Sequence, residues 1–359
     1  MASKNNSIFY TSEELSLRQR IYIQYGFQAI VLTSANGLIL LAVIKTKYMH
    51  TQKAYILIAA LALIDFLLGV QLVGMSTFRN IVIELGWANT AITPVVCMMQ
   101  PWNLLAMYKD CVVGPMLLAQ SIDRFISVAW PLYYYRLTVR YARKLSVAPY
   151  VFGLVYLIIG VVYVVWTHDT SDRVPIICSA DMAVEQRWPF YAQLLYVMEI
   201  STTTASVLLY GLVVVAYRCR KQRQVTEHDV KRFIRTQRRL TVTVGITCLL
   251  TLLLHTGTRW VKLIYFSLGK GDSFLNVPVF GVLLHQWQLN EAVIRHMNPM
   301  FNLFIYMAKQ AEMRIAILYV MQCKKLTEEQ VLEEIMKSTQ RVNPRDTLKV
   351  APAPLPNKI

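Results

Sequence analysis

Seven apolar stretches, each long enough to cross a bilayer, dominate this chain and exclude most folds. They run over residues 21–45, 54–78, 98–128, 146–166, 189–217, 240–266 and 279–307. A hydrocarbon core of about 30 Å needs roughly 20 apolar helical residues to span it. Within lipid a segment must also satisfy its own backbone hydrogen bonds. The pattern therefore predicts an all-α membrane protein, a seven-transmembrane helix bundle. A transmembrane barrel would need alternating segments of about ten residues, and none is present. Composition agrees: 16% of residues are charged, against about 25% in a soluble domain. The first twenty residues are polar (Lys4, Glu13, Glu14, Arg18, Arg20), so no cleavable signal peptide is expected and the first span directs insertion.

A net charge of +16 would suit a nucleic-acid binder, but the basic residues sit in clusters between spans, so no nucleic acid is expected. Lys45, Lys47 and Lys53 follow span one; Arg136, Arg140, Arg143 and Lys144 follow span three. The loop after span five, residues 218–239, holds nine basic residues against Glu227 and Asp229. The longest loop on the other side carries Asp169, Asp172, Asp181 and Glu185 against Arg173 and Arg187. Positive charge stays in the cytoplasm, which predicts a multi-pass plasma-membrane protein with its N-terminus extracellular. Asn5-Asn6-Ser7 is a glycosylation sequon on that outer side. Cys111 and Cys248 lie within spans, while Cys219 and Cys323 fall on the reducing side. By elimination, Cys97 and Cys178 meet in an oxidising compartment, and a disulfide between them is expected.

Particular residues then resemble the rhodopsin-like (class A) G-protein-coupled receptors. Asn36 lies in mid-span one and Asp65 in mid-span two. Asp123-Arg124-Phe125 closes span three and is followed by Pro131. Span seven ends in Asn298-Pro299 and Asn302-Leu303-Phe304-Ile305-Tyr306, and Glu312-Met313-Arg314 opens a short amphipathic eighth helix. There are departures. The span-seven proline stands one turn early at Pro299, and the Trp-x-Pro of span six is missing from residues 248–260. Trp130-Pro131-Leu132-Tyr133-Tyr134 and Ile177-Cys178-Ser179 are most similar to nematode serpentine chemoreceptors of the Srsx group.

The resemblance implies an activation relay of Asn36, Asp65, Asp123, Arg124, Asn298, Asn302 and Tyr306, coupled to a heterotrimeric G protein. It also implies a sodium ion near Asp65, although the span-three position that would help hold it is Val113. Asp123 is expected to restrain Arg124 alone, because residues 231–259 contain no Asp or Glu; ligand-independent signalling follows from that. Charged residues this deep in a bundle seldom face lipid. Lys109, Asp110, Glu199, Glu291 and Arg295 are therefore expected to form a ligand site in the outer half, for a small polar molecule or a peptide, with an Asp110–Arg295 pair at its floor. A packing network is the alternative reading of the same charges. Amine receptors carry a carboxylate one turn above Asp110, where this chain has Ala106, which argues against a protonated amine. Trp102, Tyr108, Trp260 and Tyr265 are expected either at the mouth or at the membrane interface.

The expected division is an extracellular segment (1–20), a receptor domain (21–307), an eighth helix (308–323) and a disordered cytoplasmic tail (324–359). The loop after span five mixes its basic residues with Val230, Phe233 and Ile234, which suits contact with a G protein or anionic membrane lipid. Cys323 is a palmitoylation candidate. No metal-ligand cluster, phosphate loop or nucleophile–base set appears, so enzymatic activity is not expected. A seven-span chemosensory ion channel and a non-signalling membrane receptor are the rival functions.

Overall fold

The computed structural model describes residues 9–167, 172–185, 189–221, 241–257 and 278–322, with residues 260 and 333 singly. Span one is the helix Ser12–Lys45. It starts nine residues before its apolar stretch because Thr11 and Glu14 form a capping box and Glu13 and Glu14 occupy the first turn. Those acids match the positive end of the helix dipole. Span two is Lys53–Glu84, span three Pro101–Ala129 and span four Val139–Trp166. Span five is Pro189–Lys221 and span seven Pro278–Lys309. Span six is described from the apolar helix Thr241–Leu254, which runs into a π-helical turn at Thr251–Thr256. Helix eight, Ala311–Met321, follows a break at Gln310. The family's usual proline is missing from span six, and the wide turn falls in that same segment; such turns are a recognised cause of helix distortion.

Span three is the hub, packing on spans two, four and five, while span one lies against spans two and seven and helix eight. Small residues let the backbones close up, as expected where helices meet in lipid. A side chain on Gly69 would run into Thr33 of span one, and one on Gly160 of span four would strike Met107 and Tyr191. The opposite helix faces are apolar and open: Ile23, Phe27 and Ile30 on span one, Val151, Leu154 and Ile158 on span four, Leu208 and Leu212 on span five. Exposed apolar stripes of this length have no place in water but fit a lipid belt.

At one end of the bundle, two short strands pair antiparallel, Ala91 with Pro175 and Ile92 with Val174. They bring the loops before span three and before span five together. This is the disulfide end. At the other, Arg124 end, the six-residue helix Pro131–Arg136 tucks under spans two and three.

Candidate functional site

At the Arg124 end, span three places an acid and a guanidinium side by side in a dry setting. Asp123 is fully buried and Arg124 is 2% exposed. Their side chains form an ion pair, with Arg124 donating from both Nε and Nη2 to Asp123 Oδ2. A third group completes the arrangement. Tyr134 of the short loop helix is 1% exposed, accepts from Arg124 Nη2 at 3.2 Å and donates to Asp123 Oδ2 at 3.3 Å. Burial pushes the Tyr134 hydroxyl pKa up, so it stays protonated and available as a donor. Arg124 thus meets a second partner besides Asp123, a hydroxyl from the following loop.

Lys53, counted in the sequence as loop charge, anchors that loop. Its ammonium donates to the carbonyls of Tyr134 and Leu137 and lies 4.1 Å from the centre of the Tyr134 ring. Ser127 ties back to the Arg124 carbonyl at 2.8 Å. Sequence reasoning did not assign Tyr134 or Lys53 to the site. The signal in the sequence is the Trp130–Tyr134 segment that follows Asp123-Arg124.

The mid-bundle polar residues divide into separate contacts. Asn302 Nδ2 donates to Asp65 Oδ2 at 2.9 Å, joining spans seven and two. Asn298 Nδ2 donates at 2.9 Å to Thr251 Oγ1, the first residue of the π turn in span six. Asn36 turns to its own helix and donates to the Leu32 carbonyl at 3.1 Å. Tyr306 is buried among Ile39, Val43, Tyr55 and Ile58. Tyr55 in turn donates its hydroxyl to Glu312, fastening span two to helix eight. Of the expected relay, Asp65 and Asn302 therefore meet directly. Asn298, Asn36 and Tyr306 reach other partners.

At the disulfide end, Cys97 and Cys178 are bonded, closing a sequence separation of 81 residues. Asn103 donates to the Cys97 carbonyl at 2.8 Å, Arg79 to the Cys178 carbonyl, and Gln100 to the Ile176 carbonyl at 3.2 Å. Arg79 is 6% exposed and lies 5.2 Å from the centre of the Tyr22 ring. These side chains hold the loop down, and none was singled out in the sequence. Arg79 lies just past the apolar stretch of span two, where a lone arginine reads as loop.

Deeper in, Lys109 and Asp110 form an ion pair with each other. Asp110 and Glu199, from spans three and five, line one small cavity with Tyr156, Leu195 and Met198. Glu199 is 5% exposed. The side chains of Glu291 and Arg295 lie outside the described residues, as do Asn5, Cys323 and Tyr265. Two aromatics expected at the mouth or interface have particular partners. Trp102 packs on Phe78 at 4.5 Å between ring centres and donates to Gln100, whereas Tyr108 turns to span four and donates to the Tyr150 carbonyl.

The sequence matches the 7 transmembrane receptor (rhodopsin family) over residues 35–307, well over half of its length. The chain belongs to that family. It is similar to trace amine-associated receptor 6 of Pan troglodytes, 26% identical over 258 residues, which are 68% of this chain and 71% of the relative. It is also similar to trace amine-associated receptor 9 of Mus musculus, 24% identical over 307 residues, 80% of this chain and 82% of the relative. Trace amine-associated receptor 8b of Rattus norvegicus is 29% identical over a shorter stretch of 130 residues, 36% of either chain. The protein is thus a multi-pass membrane receptor of the rhodopsin family.

Proposed function

We propose that this receptor is chemosensory: it takes a small polar ligand or a peptide into the disulfide end of the bundle and activates a heterotrimeric G protein at the Arg124 end. The observation that carries the reading is the pair of membrane-embedded carboxylates, Asp110 and Glu199, lining one space with room for about one water, which a ligand would have to widen. Ionisable groups at that depth are costly and mark function by default. Asp110 is the more accessible member, its side chain 20% exposed where Glu199 is 5% exposed. Glu291 and Arg295 of span seven complete the proposed set. The chemosensory assignment and the Srsx-like subgroup rest on the Trp130–Tyr134 and Ile177–Ser179 segments.

The orientation proposed is an extracellular N-terminus in the plasma membrane. The basic loops support it, and so does the disulfide, which needs an oxidising compartment. Glycosylation of Asn5, palmitoylation of Cys323 and contact of the basic 218–239 loop with a G protein or anionic lipid fit the same orientation. An N-terminal tag reachable by antibody on intact cells agrees with it; a tag reached only after permeabilisation overturns it and favours a channel of inverted topology.

A second reading, an amine ligand, is favoured by the printed names of the relatives and by two acids on one cavity; Ala106, one turn above Asp110, stands against it. One experiment separates them. The receptor is expressed with a promiscuous G protein against panels of amines, other small polar metabolites and short peptides. Activation by a non-amine, with potency lowered at least about tenfold in Asp110→Asn, supports the first reading; the factor corresponds to losing roughly 1.4 kcal/mol of binding. Activation by amines alone supports the second. A full response in both Asp110→Asn and Glu199→Gln overturns the site.

The relay of Asn36, Asp65, Asn298, Asn302 and Tyr306 is proposed to carry the change between the ends. Ligand-independent signalling is proposed as well, since Arg124 finds no acid in residues 231–259. Tyr134 tempers it. Second-messenger output equal to empty vector, at normal surface expression, would exclude it.

A further inference from the structure

Span three sends a lysine into the bundle beside the mid-membrane carboxylate, and that placement bears on how the core balances its charge. Lys109 is 5% exposed and pairs with Asp110. One turn toward the Arg124 end stands Val113, which packs with Val112 and Met116 against Leu61 and Ile64 of span two. Ile64 is the neighbour of Asp65, so span three meets span two at the level of that acid. A helix rises about 6 Å over four residues, within the length of a lysine side chain. Lys109 and Val113 stand four residues apart and so share one face of span three, the face that meets span two beside Asp65. This ammonium is thus paired with Asp110, and Asp65 stands on the neighbouring span at the level of Val113, one turn away.

Relatives in this family lead one to expect a sodium ion at Asp65, and the residues present do not fit one. A hard cation takes oxygen ligands. Span three offers the hydrocarbon of Val113 in place of an oxygen, and Asn302 turns its N–H, not its carbonyl, to Asp65 Oδ2. Asn36 and Asn298 each leave an amide oxygen without a hydrogen-bond partner, but a sodium ion between them and Asp65 would sit in the field of a fixed ammonium. Like charges in a low-dielectric interior repel strongly.

We infer that the Lys109 ammonium is the resident cation of this receptor's core: it neutralises Asp110 directly and Asp65 through space, so the bundle carries its counter-ion on the chain and does not take up sodium. Removing the ammonium strands two acids in a dry setting, where an uncompensated charge is strongly destabilising. It also opens the space and the negative charge that a sodium ion would need.

The test uses the full-length receptor purified in detergent, with thermal unfolding followed in sodium chloride and in choline chloride at equal ionic strength. For the natural chain the two curves are expected to agree to about 1 °C, since a ligand that does not bind cannot stabilise. Lys109→Met is expected to lose about 5 °C or more in choline, and to regain part of the loss in sodium. Lys109→Arg, which keeps the cation, should behave as the natural chain. The double variant Lys109→Met/Asp110→Asn, which removes both charges of the pair, should unfold above Lys109→Met. Where Lys109→Met fails to fold, the double variant and the natural-chain titration decide. A saturable stabilisation of the natural chain by sodium over choline, lost in Asp65→Asn, overturns the inference. So does a Lys109→Met receptor as stable in choline as the natural chain. Because the readout is stability and not signalling, failure of the ligand reading leaves this result standing.

Discussion

Span three carries two ion pairs made by adjacent residues, Lys109–Asp110 and Asp123–Arg124, fourteen positions or about 21 Å apart along the helix, and the two ends treat them differently. At the Arg124 end the pair is fully enclosed and a loop hydroxyl bridges both partners. The third partner comes from a short helix held by Lys53, so anything that moves the loop loosens the pair. At the disulfide end the loop is held covalently, and the Asp110 of the pair borders a cavity shared with Glu199. One end has an ion pair tied to a loop helix by hydrogen bonds, the other a loop tied by a covalent bond. If, as proposed, a signal enters at the disulfide end and leaves at the Arg124 end, the polar residues between must change partners. Their contacts, Asn302 with Asp65 and Asn298 with Thr251, are single hydrogen bonds between different spans.

The comparison can be broken most forcefully at the disulfide end. Replacing Cys178 by Ser is expected to cost about 2–5 kcal/mol, as for a native disulfide in a small secreted domain, and to abolish most surface expression, read by flow cytometry on an N-terminal tag. Normal expression would mean that Arg79, Asn103 and the strand pair hold the loop unaided. At the Arg124 end, Asp123→Asn removes the charged partner of a buried guanidinium. Leaving that charge uncompensated costs up to roughly 3–5 kcal/mol, and basal second-messenger output should rise several-fold per receptor at the surface. Unchanged basal output would place the restraint on Arg124 elsewhere.

Tyr134→Phe deletes one hydroxyl and about 1 kcal/mol of hydrogen bonding, so the same assay should show a smaller rise, in the same direction. A larger rise than that of Asp123→Asn would reverse the order of the two partners. The smallest effect is expected between the ends. Thr251→Val leaves the Asn298 amide without its partner across the π turn, at about 0.5–1.5 kcal/mol. It should shift agonist potency a few-fold in either direction while leaving surface expression unchanged.

Several of these contacts were beyond the reach of sequence reasoning for one reason. Lys53 and Tyr134 are 81 residues apart, Arg79 and Cys178 are 99, and Tyr55 and Glu312 are 257. A lysine at the start of a span looks the same whether it faces water or fastens a loop. A tyrosine among three aromatic neighbours gives no sign that it is the buried one. Asn36 and Asn302 occupy equally polar positions in apolar helices, yet one bonds to its own turn and the other crosses the bundle. Helix rotation decides between those outcomes, and periodicity is weak where lipid and protein faces are both apolar.

What the sequence determined by itself was the solvent and the path of the chain. Seven apolar stretches pointed to helices, because lipid allows only helices or closed barrels and no barrel-like alternation is present. The distribution of cysteines singled out Cys97 and Cys178. The order of Asn36, Asp65, Asp123-Arg124 and Asn302-to-Tyr306 pointed to the family. The tertiary structure alone decided partners: Tyr134 for Arg124, Asn302 for Asp65, Thr251 for Asn298, and an inward-facing Lys109 paired with Asp110. In a membrane the cost of burying a charge is paid wherever the helix places it, so composition reveals that a charge must be matched. Only the packing of one helix against the next says which group matches it.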